Sequence, residues 1–267
     1  MQPKLLLFDI GNTAVKIGLA DGRCVLSSYT LRADAGQTAD SLGLTLLSVL
    51  GHASVVPDSL DACIVSSVVP GFDPLLREAA ARYIGRPLYR VPEDMPVALD
   101  NRYERPAEVG ADRLVGAFAA RRLYPGADSL IVVDFGTAVT FDCVSGQAYL
   151  GGLIFPGPLT AMTALSREAA KLPRVNLDVC AHTLEMGRDT ATSIQHGLIF
   201  GFVSVVEGLT RRLARRLPGK TLVLGTGGFA ESIAGVSQVF DHVLPALLLE
   251  GLRLLYYDRQ SVSGADG

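Results

Sequence analysis

The feature that most constrains this chain is a short segment that occurs twice. Leu5-Leu6-Leu7-Phe8-Asp9-Ile10-Gly11-Asn12-Thr13 is an apolar run ending in a carboxylate, a glycine and small polar residues. Leu130-Ile131-Val132-Val133-Asp134-Phe135-Gly136-Thr137-Ala138-Val139 repeats the pattern later in the chain. Apolar runs of this kind predict buried strands. In both copies a second apolar run follows and closes at a glycine turn, Gly22 or Gly146. Strand–Asp–Gly–Thr–strand, present twice, predicts two similar half-molecules.

The residue types suggest what such a turn holds. Gly11 lets the backbone approach a ligand that a Cβ would push away. Asn12 and Thr13 set side-chain donors beside exposed N–H groups, which suits phosphate oxygens. Asp9 alone would repel a phosphate, so its presence predicts an intervening cation, the place Mg²⁺ commonly takes. A single copy reads equally as an Asx-type turn ending a hairpin strand. The repetition favours two phosphate-binding turns converging on a nucleotide in a cleft between the halves. Lys16 suits either a phosphate contact or a solvent-facing position. Ser66-Ser67, at the end of a strand read over Asp61–Val69, suits either a cleft lining or ordinary turn chemistry.

Residues 92–108 are polar, irregular and proline-bearing, and predict a surface loop or connection. They run into Glu108-Val109-Gly110-Ala111-Asp112-Arg113, ahead of an apolar helix from Leu114 to Leu123. Asp112 can be an N-cap with Arg113 a surface neighbour. It can also be a carboxylate base for a hydroxyl proton, beside a guanidinium that binds an anionic group. Further on, Leu159, Met162, Leu165, Ala169 and Leu172 predict the core face of one helix. Residues 187–217 can hold a long helix or two, in which Gly197, Gly201 and Gly208 predict close packing or a kink. Thr226-Gly227-Gly228 is a third glycine turn between a strand and a short helix. An apolar helix over 245–257 and a frayed tail from Asp258 end the chain.

Composition excludes several classes. The 267 residues are 49% hydrophobic and 19% charged, which fits a globular enzyme with a substantial core. A net charge of −3 gives no basic field for nucleic acid. Arg211, Arg212, Arg215 and Arg216 match the negative pole of their own helix instead. No apolar run approaches the ~18 residues of a membrane span. Met1-Gln2-Pro3-Lys4 leads straight into a strand without signal-peptide features. Cys24, Cys63, Cys143 and Cys180 form no C-x-x-C pair and predict reduced core thiols of a cytoplasmic protein. The histidines lack metal-ligand spacing, and neither a G-x-x-x-x-G-K-[ST] loop nor a G-x-S-x-G elbow is present.

The set Asp9-Ile-Gly-Asn-Thr, Gly110-Ala-Asp-Arg113, Asp134-Phe-Gly-Thr-Ala-Val-Thr, Gly151-Gly-Leu-Ile-Phe-Pro-Gly157 and Thr226-Gly-Gly228 closely resembles type III pantothenate kinases. These belong to the acetate and sugar kinase/Hsp70/actin superfamily, and the resemblance runs through nearly the whole chain. It implies an α/β fold of two ribonuclease H-like lobes, residues 1–118 and 119–267, with a cleft between them. It implies ATP-dependent phosphorylation of pantothenate to 4′-phosphopantothenate, the first step towards coenzyme A. Asp9, Ile10, Gly11, Asn12, Thr13, Ala14, Val15, Lys16 and Thr137 would contact ATP, with Asp9 on the Mg²⁺ side. Asp134 would hold a monovalent cation, K⁺ or NH₄⁺. Tyr103, Gly110, Ala111, Asp112, Arg113 and Thr190 would bind pantothenate, with Asp112 as the general base. Asp189 stands where the family often has Asn before that Thr. Members of the family resemble each other in forming homodimers that complete the pantothenate pocket. Two alternatives share the scaffold: a transcription accessory protein that binds nucleotide without needing Asp112, and a phosphatase with water as acceptor.

Overall fold

The structure, a computed structural model, describes residues 4–34, 36–169, 171–177 and 183–263. They fall into two compact units. Unit 1 takes the chain up to Leu99, then Ala107–Arg122, then everything from Ala246 onward. Unit 2 takes Asp100–Pro106 and Leu123–Pro245.

Unit 1 is built on β1 (Leu5–Ile10), β2 (Ala14–Ala20), β3 (Val25–Arg32), β4 (Ala62–Ser67) and β5 (Leu88–Val91), in the order β3-β2-β1-β4-β5. β1 pairs antiparallel with β2 and parallel with β4. Its near-continuous apolar sequence follows from burial on both faces. Leu6, Phe8 and Ile10 pack with Leu42 and Leu46 of α1 (Ala39–His52) and Leu76 of α2 (Phe72–Ala79). Leu5 and Leu7 pack on the other face, with Val115 and Phe118 of α3 (Ala111–Leu123) and Leu249 and Leu252 of α7 (Leu247–Ser263). A capping box fixes the start of α1: Ser41 N donates to Thr38 Oγ1 at 3.2 Å, and Thr38 N donates to Ser41 Oγ at 3.0 Å.

Unit 2 repeats this plan. Its strands are β6 (Asp100–Asn101), β7 (Ser129–Phe135), β8 (Ala138–Ser145), β9 (Ala148–Pro156), β10 (Thr221–Gly227) and β11 (His242–Val243). They lie in the order β11-β10-β7-β8-β9-β6. β7 is antiparallel to β8 and parallel to β10, as β1 is to β2 and β4. Without β6, the order and directions of unit 1 recur strand for strand. The helices are α4 (Pro158–Glu168), α5 (Thr190–Ala214) and α6 (Ala230–Ala234). Ile131, Val133 and Phe135 pack with Phe202 and Val206 of α5 and Ile233 of α6.

Several expectations need correction. Residues 92–108 are not wholly irregular, because Asp100–Asn101 pairs in parallel with Ala148–Tyr149. Of the five apolar residues expected in the core after Pro158, only Met162 is fully buried, and Leu159 is 53% exposed. α4 stops at Glu168, so Ala169 and Leu172 lie beyond it. Nothing lies within 4 Å of where a Cβ would stand on Gly197, Gly201 or Gly208, so they do not mark close packing. α7 continues through Asp258 to Ser263, and it packs on unit 1 although it ends the chain. Cys63 and Cys143 are buried, but Cys24 is exposed. Burial pushes the Cys63 thiol up to about 12. Cys180 lies outside the described residues. Among the described residues, no helix is long and apolar enough to cross a membrane.

Leu252, fully buried against the β1 face, tests the tie between the chain's last helix and its first strand. Leu252→Ala should lower the unfolding free energy by about 2–5 kcal/mol in urea titrations.

Candidate active site

Strand pairing sets the first part of the site. Lys16 of β2, Asp9 of β1 and Ser66 of β4 occupy one register row. Alternation along each strand puts all three on the face covered by α3 and α7, in step with Leu7, Ile64 and Ala20. The row lies one residue short of the point where β1 ends. There Gly11 N donates to Ala14 O at 3.0 Å, closing a tight turn whose Asn12 and Thr13 are exposed. Asp9 itself is only 9% exposed.

α3 delivers Asp112 to the same place. Val68, just past β4, donates its N–H to Ile10 O at 3.0 Å, at the end of β1. A Cβ on Gly110 would lie 3.5 Å from Val68 Cγ1, so α3 begins at this end of the sheet. Asp112 precedes Val115 by one helical turn, and Val115 is core on the α3 face. Asp9 and Asp112 therefore share one face and one end of the unit 1 sheet. The Asp112 carboxylate accepts the Arg113 N–H at 2.8 Å. It fills space that only a glycine leaves: a Cβ on Gly110 would stand 2.5 Å from Asp112 Oδ1. Burial raises the Asp112 pKa above the ordinary 3.8, against the opposing pull of the Arg113 N–H and charge. A carboxylate shifted this way is the more basic for it.

Unit 2 carries the repeated turn. Gly136 N donates to Ala138 O at 3.0 Å, as Gly11 does to Ala14. Gly136 and Thr137 are exposed. The start of α4 grips this turn: Thr137 O accepts from Gly157 N at 3.0 Å and from Thr160 Oγ1 at 2.6 Å. Asp134 lies in register with Thr140 on β8 and Thr226 on β10. Gly227, at φ +87°, lies against Asp134, and a Cβ there would overlap its carboxylate. Two residues along β8 from Thr140, Asp142 is buried and accepts from Tyr149 Oη at 2.7 Å and Thr140 Oγ1 at 3.0 Å. The Tyr103 ring sits 6.5 Å from that of Tyr149.

Thr190 is the first residue of α5 and lines a groove of about 680 Å³. Leu165, Leu172, Ile194 and Leu198 form the groove's apolar wall, with Arg188 and Ser193 beside Thr190. Asp189 caps α5, accepting from Thr192 N at 2.9 Å and Thr192 Oγ1 at 2.7 Å. These bonds hold its carboxyl below the usual range. Asp thus does here the capping for which Asn is the common alternative.

Unit 1 brings Asp9 to Lys16 together with Gly110 to Arg113. Asp134, Thr137, Tyr103 and Thr190 belong to unit 2. Sequence reasoning gave no role to Asp142 or Thr160 and left Ser66 undecided. Only the pairing of β4 with β1 singles out Ser66. Among the described residues, no group of three His, Cys, Asp or Glu could hold a metal ion. A carboxylate beside a tight glycine turn, as Asp9 is, fits Mg²⁺, which takes one or two carboxylates and keeps water and phosphate oxygens as its other ligands.

The model of the family "Type III pantothenate kinase" matches residues 5–212. A type III pantothenate kinase of Desulfovibrio desulfuricans is 74% identical over 98% of this chain and 99% of its own length. One from Nitratidesulfovibrio vulgaris (Miyazaki F) is 60% identical over 98% and 100%. Among solved structures, a Campylobacter jejuni protein whose name places it in the Baf family superposes with TM-score 0.61 at 18% identity, covering 96% of this chain and 99% of that one. ROK hexokinase from Thermus thermophilus gives 0.50 at 18% identity, over 95% and 99%. These structural likenesses establish the α/β, hexokinase-type two-lobe fold.

The shift of Asp112 has a sign that can be checked. Its folded-state pKa is raised, so the folded chain holds this proton more tightly than the unfolded chain. That contribution is fully present below the unfolded value of 3.8 and is lost as pH rises through the folded value. At neutral pH Asp112→Asn should therefore raise the Tm, and the gain should shrink on acidification. In ¹³C-detected NMR titrations Asp112 should titrate above 3.8, and Asp94 and Asp189 below it.

Proposed function

The chain belongs to the type III pantothenate kinase family, and from that premise we propose that it transfers the γ-phosphoryl group of ATP to the 4′-hydroxyl of pantothenate, opening coenzyme A synthesis. One observation carries the reading at the level of chemistry. Unit 1 sets a half-buried carboxylate of raised pKa, Asp112, at the same face and end of its sheet as the Asp9–Thr13 turn.

Asp112 takes the hydroxyl proton as the oxygen forms its bond to the γ-phosphorus, and the bond from that phosphorus to the bridging oxygen breaks, releasing ADP. Arg113 pairs with the pantothenate carboxylate. The Gly11–Thr13 turn, with Lys16, holds the phosphates. Asp9 would help hold the Mg²⁺ that accompanies them, and that ion would neutralise charge on the phosphate oxygens. Transfer of this kind needs positioning and charge neutralisation more than covalent work by the protein. In unit 2 the same reading assigns Thr137 to the nucleotide, Asp134 to a K⁺ or NH₄⁺ ion, and Tyr103 and Thr190 to pantothenate. The enzyme works as a cytoplasmic homodimer.

Incubated with ATP, Mg²⁺, K⁺ and pantothenate, the purified protein should form phosphopantothenate and ADP in equal amounts. Asp112→Asn should lower kcat by about 10²–10⁴-fold, the usual range for loss of a general base. kcat/KM should fall on the acid side as Asp112 becomes protonated. Release of free phosphate without phosphopantothenate, or an Asp112→Asn variant as active as the parent, would refute the assignment.

A further inference from the structure

Ser66 and Thr226 occupy the same position in the two repeats. Each sits on the strand parallel to the central one, in register with the repeat's aspartate: Ser66 with Asp9, Thr226 with Asp134. Each is 0% exposed. Their hydroxyls differ. Thr226 Oγ1 donates to Leu244 O at 2.7 Å. Ser66 Oγ is buried and has no hydrogen-bond partner. Its neighbour Ser67 is fully explained by turn chemistry, with Val69 N donating to Ser67 Oγ at 3.2 Å and Ser67 Oγ to Val69 O at 3.3 Å.

A buried hydroxyl without a partner costs the fold free energy, and an alanine there would not. Ser66 stands beside Asp9 on the α3 face, where facing residues of adjacent strands come within side-chain reach. Carboxylates that face a metal ion are themselves usually held by a hydrogen bond to their other oxygen. We propose that Ser66 is a positioning residue: its hydroxyl donates to the inner oxygen of Asp9 when the outer oxygen turns to the divalent cation of a metal–nucleotide complex. The free chain leaves this donor unused, and the loaded chain uses it. The inference rests on the reading of Asp9 as the metal-side carboxylate. It adds a residue that touches neither nucleotide nor pantothenate.

The test compares the parent protein with Ser66→Ala, Ser66→Thr and Thr226→Ala. The first measurement is the Tm without ligand. The second is Mn²⁺ binding, read by electron paramagnetic resonance in the presence of a non-hydrolysable ATP analogue, so that no turnover is involved. Ser66→Ala should keep or raise the Tm and weaken Mn²⁺ binding about 10-fold or more. Ser66→Thr keeps the hydroxyl in the form found at the equivalent place in unit 2, and should restore most of that affinity. Thr226→Ala should lower the Tm, because its hydroxyl bonds the backbone in the free chain. If the parent binds Mn²⁺ with the analogue and Ser66→Ala binds it equally well, or if Ser66→Ala melts markedly lower, the role of Ser66 is overturned while the kinase reading stands. If the parent binds no Mn²⁺ with the analogue, the reading of Asp9 falls and this inference with it.

Discussion

Everything in the site of unit 1 depends on the pairing of β1 along both edges. β2 runs antiparallel on one side and β4 parallel on the other, and every residue from Leu5 to Ile10 has a partner in each. The ladders occupy the strand's backbone groups along its length, so a ligand can reach the backbone only where the strand stops. Because β2 returns antiparallel, the stop is a tight turn at Gly11. Because β4 is parallel, its end lies at the same edge of the sheet. Asp9 is the last side chain on the α3 face before the turn, and the ladder dictates that its neighbours are Lys16 and Ser66. Burying Leu5 and Leu7 needs a helix over that face, and α3 supplies it through Val115 and Phe118. Covering the core and placing Asp112 are thus one structural event.

Unit 2 shows what the frame alone provides. Its central strand ends in the same kind of turn, with an aspartate in the same place. Yet its register neighbours are Thr140 and Thr226 rather than a lysine and an unpartnered serine. The threonine hydroxyls there are already bonded, Thr226 to Leu244 O and Thr140 to the buried Asp142. The repeat preserves strand order and turn, whereas the side chains of the register row are free to change. The two register rows differ in their side chains on the same strand geometry.

That distinction also explains what could be read from the sequence. The doubled strand–Asp–Gly–Thr pattern is local, and so the two halves, their first hairpins and both turns were legible. The Gly-Ala-Asp-Arg turn could be found, but the partial burial that raises the Asp112 pKa is a tertiary property. Ser66 and Ser67 are equivalent in sequence; only the pairing of β4 with β1, with residues 11–61 intervening, separates a turn former from a spare donor. The place of α7 on unit 1 likewise has no local signal, because it depends on contacts between the chain's two ends. Leu159 misled for the opposite reason: helical spacing was correct, but spacing does not say how wide the buried stripe is.

The energetic balance follows from the same strand. Ser66 leaves a buried donor unmade, a cost of roughly 1–3 kcal/mol. Asp112, its pKa raised by burial, disfavours the fold whenever it is ionised. Both defects lie at the edge of a sheet whose central strand is fully buried over Leu5, Leu6, Leu7 and Phe8. Each such side chain contributes roughly 1.5–3 kcal/mol through burial. The fully buried central strand of the unit therefore ends beside the residues least favourable to stability. A strained or unsatisfied group keeps a fixed position only where its surroundings over-determine it. The register row at the end of β1 meets that condition, and one on a surface loop would not.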